Sequence, residues 1–197
     1  IIHLMIKLPS GVEINSLIAD LRILSWKAAD TLLYYSQILK DSNNKSNIIQ
    51  NNNIEDPVTL ADLKVNEIII QGINEKYKDI NWEILSEENV KKTSNYCDID
   101  ADWCWVLDPL DGTKDFIQGT DNYAMHLSLN YKQKPYIGIV LIPEKDELWI
   151  ASGEKVWCEG RKKLSIKPNL SKNKTLKEMI IVSSKNHRNE TLKNLID

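Results

Sequence analysis

Apolar residues recur at intervals of three and four from Ile14 through Leu17, Ile18, Leu21, Leu24, Ala28, Leu32 and Tyr35. This spacing predicts a long amphipathic helix that opens after the breaker Pro9-Ser10-Gly11. Residues 41–53 are dominated by Asn, Ser and Lys and read as an exposed loop. Helical spacing resumes near Thr59 and runs to about Tyr77, with Leu60, Leu63, Ile68, Ile69 and Ile73 supplying the apolar side.

From Trp82 the period shortens. Apolar runs at Trp82–Leu85, Trp103–Leu107, Ala124–Leu129, Tyr136–Ile142, Leu148–Ala151 and Lys155–Cys158 are separated by turn formers and predict strands. The last four follow one another through short connections such as Pro143-Glu144-Lys145-Asp146, the pattern of an antiparallel meander. A further strand is expected over Met179–Ser183 and a helix from about Asn189. Helices followed by a mainly antiparallel sheet make an α+β layered domain. Its expected extent is residues 1–177, with 178–197 opening a second α/β domain.

Composition narrows the class. Of 197 residues 42% are hydrophobic and 27% charged, and the net charge of -3 argues against coating a nucleic acid polymer. No apolar run approaches the ~20 residues of a membrane helix. Cys97, Cys104 and Cys158 form no C-x-x-C pair, so they read as reduced structural thiols and point to a cytoplasmic setting.

The chemistry concentrates in Trp105-Val106-Leu107-Asp108-Pro109-Leu110-Asp111-Gly112-Thr113-Lys114-Asp115-Phe116. Pro109 biases Asp108 toward an extended backbone, so a strand ends there and turns with Asp108 and Asp111 near one point. Two adjacent carboxylates share a proton or bind a cation, and oxygen ligands without His or Cys favour Mg²⁺. The same residues also make good turn chemistry. A second strand ends in Glu87-Glu88, and Asp56-Pro57-Val58-Thr59-Leu60-Ala61-Asp62 leads into the second helix, so three acidic ends can converge at one sheet edge. Asp56, Thr59 and Asp62 also suit a helix start without any catalytic role. A helix beginning at Gly112-Thr113 would turn free N–H groups toward a phosphate.

Together D-P-V-T-x-A-D, S-E-E after a strand, and W-V-L-D-P-L-D-G-T-K-D-F resemble the Mg²⁺-dependent, typically lithium-sensitive inositol monophosphatase-like phosphatases. The resemblance runs from about Ile14 to the C-terminus and implies their layered sugar-phosphatase fold. It implies metal binding by Glu87, Asp108, Asp111 and the Leu110 carbonyl. It also implies orientation of the attacking water by Asp62 and Thr113, and phosphate contacts from Gly112 and Thr113. Two or three Mg²⁺ ions serve the intact family. G-T-K-D-F, Lys114 included, and the segment Val182–Glu190 with His187 and Arg188 are similar to the 3'(2'),5'-bisphosphate nucleotidase branch of sulfur assimilation. The implied substrate is adenosine 3',5'-bisphosphate; an inositol or sugar phosphate is the alternative, and a non-catalytic binding fragment the third reading.

The family's later W-D-x-x-A motif, which supplies another metal-binding Asp, does not occur in these residues. The expectation is an N-terminal portion with one of the metal sites, low activity and incomplete substrate recognition. Family members are dimers or monomers, so a homodimer is allowed. Among the remaining candidates, His126 reads as a core residue of an apolar strand. Arg161-Lys162-Lys163 reads as a solvated tip, and the six Trp residues as core or sheet-face aromatics.

Overall fold

Helix α1 spans Ile14–Lys40 in the computed structural model, which describes residues 7–40, 49–51, 58–93 and 101–162. Pro9 and Gly11 form the preceding turn, and Glu13 caps the first helical turn by accepting the Ser16 N–H at 2.8 Å. Leu17, Leu21, Leu24, Ala28 and Leu32 are buried along one stripe, as the spacing predicts. Each such Leu contributes roughly 1.5–3 kcal/mol on burial.

Two short strands, β1 (Ile49–Asn51) and β2 (Val58–Thr59), pair antiparallel before helix α2 (Leu60–Lys76) begins. The ladder falls partly within the stretch expected to be loop. Helix α2 is fixed at its start by a capping box: Thr59 accepts the Ala61 N–H, and Asp62 accepts the Thr59 N–H. A Cβ on Gly72 would come within 2.2 Å of Leu24 Cδ2, so glycine lets α2 approach α1.

A single six-stranded sheet follows: β3 (Glu83–Ser86), β4 (Trp103–Asp111), β5 (Ala124–Tyr131), β6 (Lys134–Ile142), β7 (Glu147–Ser152) and β8 (Lys155–Glu159), in that spatial order. Strands β4 to β8 pair antiparallel, so the meander expected of β5 to β8 also takes in β4, while β3 lies parallel to β4. Short helices α3 (Glu87–Thr93) and α4 (Thr113–Gln118) leave the ends of β3 and β4. Alternating residues Met125, Leu127 and Leu129 of β5, and Ile137, Ile139 and Leu141 of β6, join α1 and α2 in one core.

Arg161 and Lys162 are exposed, as expected of a solvated tip, but Arg161 is also tied down. Its guanidinium pairs with Asp30 and Asp146 and stands 4.9 Å from the Trp26 ring, clasping the end of the meander to α1. The domain boundary expected at 177/178 and the strand and helix expected after it lie outside the described residues, as does Cys97.

Candidate active site

Parallel pairing of β3 and β4 assembles the acids. Ser86 lies beside Leu107, so the next residues, Glu87 and Asp108, leave the same sheet edge side by side. The Asp108 carboxyl is pushed up to about 7 by burial first, then by Glu87 and by Asp111. A bulge interrupts the β4–β5 ladder between Asp108 and Asp111, and Pro109, which has no N–H to donate, sits within it. The Leu110 N–H donates to Asp108 Oδ1 at 3.1 Å, closing the turn, and the buried Leu110 side chain anchors it.

Gly112 then turns the chain at φ 87°, and a Cβ there would stand 2.7 Å from the Asn122 carbonyl. The sharp reversal into α4 therefore requires glycine. Phe116, buried against Tyr123 with ring centroids 4.8 Å apart, pins α4 to the sheet. Thr113 Oγ1 lies 2.9 Å from the Leu110 carbonyl and 3.3 Å from Asp62 Oδ1, so its proton serves one acceptor or the other. Lys114 follows, half-buried, in the first turn of α4.

Asp62 is 2% exposed. Burial raises its carboxyl above the ordinary aspartate range, against the opposing pull of Thr59 and Thr113. The capping role that sequence alone allows and the contact with Thr113 coexist: Oδ2 caps the helix, while Oδ1 points to Thr113. One turn further along α2, the buried Asn66 accepts a hydrogen bond from Ser86, directly before Glu87. Sequence reasoning passed over Asn66; its signal was a polar residue four positions after Asp62 on a stripe otherwise filled by Val65, Ile69 and Ile73.

The expected set comes together in part. Pairwise links are what the structure gives: Asp108 interacts with Glu87 and Asp111, and Thr113 with the Leu110 carbonyl and Asp62. Among the described residues, however, no three His, Cys, Asp or Glu side chains are grouped to hold a metal ion by themselves. Glu87 is exposed while its neighbour Glu88 is 2% exposed. Asp56, His187 and Arg188 lie outside the described residues. His126 is not a core residue. The alternation that buries Met125 and Leu127 turns it to the other face of the sheet, where 45% of its side chain is accessible and Nε2 stands 4.0 Å from Asp111 Oδ2.

This arrangement can do what close carboxylates beside a buried base do: concentrate negative charge for a cation and accept a proton. The inositol monophosphatase family model matches residues 16–196. The chain belongs to the inositol monophosphatase family. Relatives within the family include the 3'(2'),5'-bisphosphate nucleotidase CysQ of Buchnera aphidicola subsp. Acyrthosiphon pisum, 32% identical over 143 residues, a match covering 72% of this chain and 51% of the relative. CysQ of Salmonella typhimurium is 28% identical over 143 residues, covering 70% of this chain and 53% of that protein. The structure of inositol monophosphatase-II from Staphylococcus aureus MSSA476 superposes with a TM-score of 0.55 at 26% identity, over 80% of this chain and 52% of that one. The chain thus has the inositol monophosphatase fold and spans about half the length of the curated relatives it matches.

Proposed function

We propose that the chain carries the water-activating part of a metal-dependent phosphomonoester hydrolase that removes the 3'-phosphate of adenosine 3',5'-bisphosphate, giving AMP and phosphate. The observation that supports this most directly is the Glu87–Asp108 pair, made by the parallel register of β3 and β4 and costly without a counter-charge. Oxygen-only donors of this kind suit a hard divalent ion, so Glu87, Asp108, Asp111 and the Leu110 carbonyl are the residues that would hold Mg²⁺.

Such an ion supplies Lewis-acid polarisation of the phosphate ester and acidifies water. The chain's own residues do the rest. Asp62, with its carboxyl raised by burial, is a better proton acceptor than a solvated aspartate, and Thr113 Oγ1 links it to the turn. Water attacks phosphorus, its proton passes toward Asp62, and the ester P–O bond breaks, the leaving 3'-oxygen taking a proton from solvent water to become the nucleoside hydroxyl. Gly112, Thr113 and Lys114 would contact the phosphate.

The nucleotidase reading is favoured over an inositol or sugar phosphate by Lys114 in G-T-K-D-F and by the Ser183–Glu190 segment, and the CysQ relatives share it. Because W-D-x-x-A is missing from these residues, turnover by the chain alone is expected to be low. The test is phosphate release from adenosine 3',5'-bisphosphate, inositol 1-phosphate and fructose 1,6-bisphosphate with Mg²⁺, with and without Li⁺, paired with calorimetric Mg²⁺ binding. Preference for the bisphosphate nucleotide, with Asp111→Asn losing both Mg²⁺ binding and turnover, supports the proposal. Near-normal Mg²⁺-dependent activity in that variant refutes it.

A further inference from the structure

Glu144 lies in the one-turn helix Pro143–Lys145 that joins β6 to β7, away from the acids of the proposed site. Its Oε1 alone accepts three hydrogen bonds, from Ser36 Oγ at 2.9 Å, Tyr123 Oη at 2.9 Å and Lys40 Nζ at 3.2 Å. Ser36 and Tyr123 are buried, so each hydroxyl needs a partner inside the protein. Burial alone would raise the Glu144 carboxyl, yet the bonds from Ser36, Tyr123 and Lys40 outweigh it and hold the group below the ordinary glutamate range. Lys40 also reaches Asp121 at 3.2 Å. The last turn of α1 and residues 121–123 are thus fastened to one carboxylate.

Those residues support the turn that carries Thr113. Ala124 pairs with Asp111 in the β4–β5 ladder, which sets the preceding Tyr123 against Gly112. A Cβ on Gly112 would stand 3.4 Å from Tyr123 Cα as well as 2.7 Å from the Asn122 carbonyl. The Tyr123 ring meets Phe116 of α4 edge-on, so one tyrosine braces both sides of the turn. Thr113 Oγ1 and Asp62 Oδ1 are 3.3 Å apart, already longer than the roughly 2.5–3.0 Å of an ordinary hydroxyl bond, and a small shift of the turn would part them.

We propose that Glu144 and Tyr123 are positioning residues that fix the turn at Gly112 so that Thr113 Oγ1 meets Asp62. The inference rests on the hydrolase reading above and extends it to residues that touch neither substrate nor reacting atoms. A misplacement of about 1 Å in such an arrangement can cost on the order of 10²-fold in rate.

The test uses the whole 197-residue chain, labelled in ¹⁵N and at the threonine methyls. Tyr123→Phe keeps the ring and removes one bond, Glu144→Ala removes all three, and Glu144→Gln keeps a carbonyl oxygen that can accept them. The Gly112 amide and Thr113 methyl resonances should move in Tyr123→Phe, move further in Glu144→Ala and return toward the parent in Glu144→Gln. With adenosine 3',5'-bisphosphate and Mg²⁺, kcat should fall about threefold in Tyr123→Phe and about tenfold in Glu144→Ala, with KM within about twofold, and Glu144→Gln should recover most of the loss. Ile73→Val, a core change at the far end of α2, loosens the fold without touching this network and should leave both the resonances and kcat at parent values. Parent-like resonances and kcat in Tyr123→Phe and Glu144→Ala overturn the inference and leave the hydrolase reading standing, as do equal losses in Ile73→Val. A parent chain that releases no phosphate from the nucleotide removes the hydrolase reading and this inference together.

Discussion

Asp108 holds its proton more tightly in the folded protein than in an unfolded chain, where a carboxyl releases it near 3.9. With the folded value raised to about 7, protonation favours the fold. The contribution therefore grows as pH falls from about 8 toward 5 and is lost as pH rises. The carboxyls held low, Asp20, Glu144 and Asp146, act only at more acidic pH, whereas Asp62, raised by burial, adds to the same trend. After discounting for solvent screening at a partly exposed group, the gain is on the order of 1–2 kcal/mol. Melting temperature in EDTA should rise by several degrees between pH 8 and pH 6, Asp108→Asn should flatten the slope, and Mg²⁺ should raise the pH 8 value most. An unchanged slope in the variant would mean that Asp108 is not the group responsible.

Gly112 is the other residue whose chemistry is forced. Its φ of 87° and the 2.7 Å clearance to the Asn122 carbonyl leave no room for a side chain. Gly112→Ala should cost about 1–3 kcal/mol, read from denaturant midpoints, and should displace Thr113 from Asp62.

At the level of elements, much was legible. The 3.6-residue period of α1 and α2 and the two-residue period of β5 to β8 each bury one face, so burial writes itself into the spacing. The direction of β3 was not legible, because a parallel pair needs a long crossover and nothing in residues 87–102 marks which way the chain returns. His126 was readable and was misjudged: the strand is apolar only at alternate positions, and His126 falls between Met125 and Leu127. The clasp at Arg161 depends on Asp30 and Trp26, more than a hundred residues away, which no local pattern records. The β5–β6 hairpin also carries a visible local cost. Lys132 and Gln133 both adopt positive φ, 47° and 63°, where glycine or asparagine is favoured. Gln133→Gly should therefore stabilise the protein by about 0.5–1 kcal/mol, measured as a shift in urea midpoint with an unchanged slope; a loss of stability would show that the Gln133 side chain makes compensating contacts.

Across the molecule, stability and chemistry are unevenly shared. The strands β5 and β6 have neighbours on both sides and supply the buried Met125, Leu127, Ile139 and Leu141. By contrast, β3 has four residues and, among the described residues, a single neighbour. Amide exchange should open β3 first and β5–β6 last, and a divalent ion should slow exchange in β3 and β4 more than elsewhere. Uniform slowing across the sheet would argue that the ion does not bind between those strands. Since Glu87 depends on the peripheral strand and Asp108 on the interior one, warming would part the two acids well before the remaining ladder melts. The proposed metal site would then come apart while the protein still looked folded to a spectrometer, and a ligand that bridges both strands would act as the rivet that holds the rim in place.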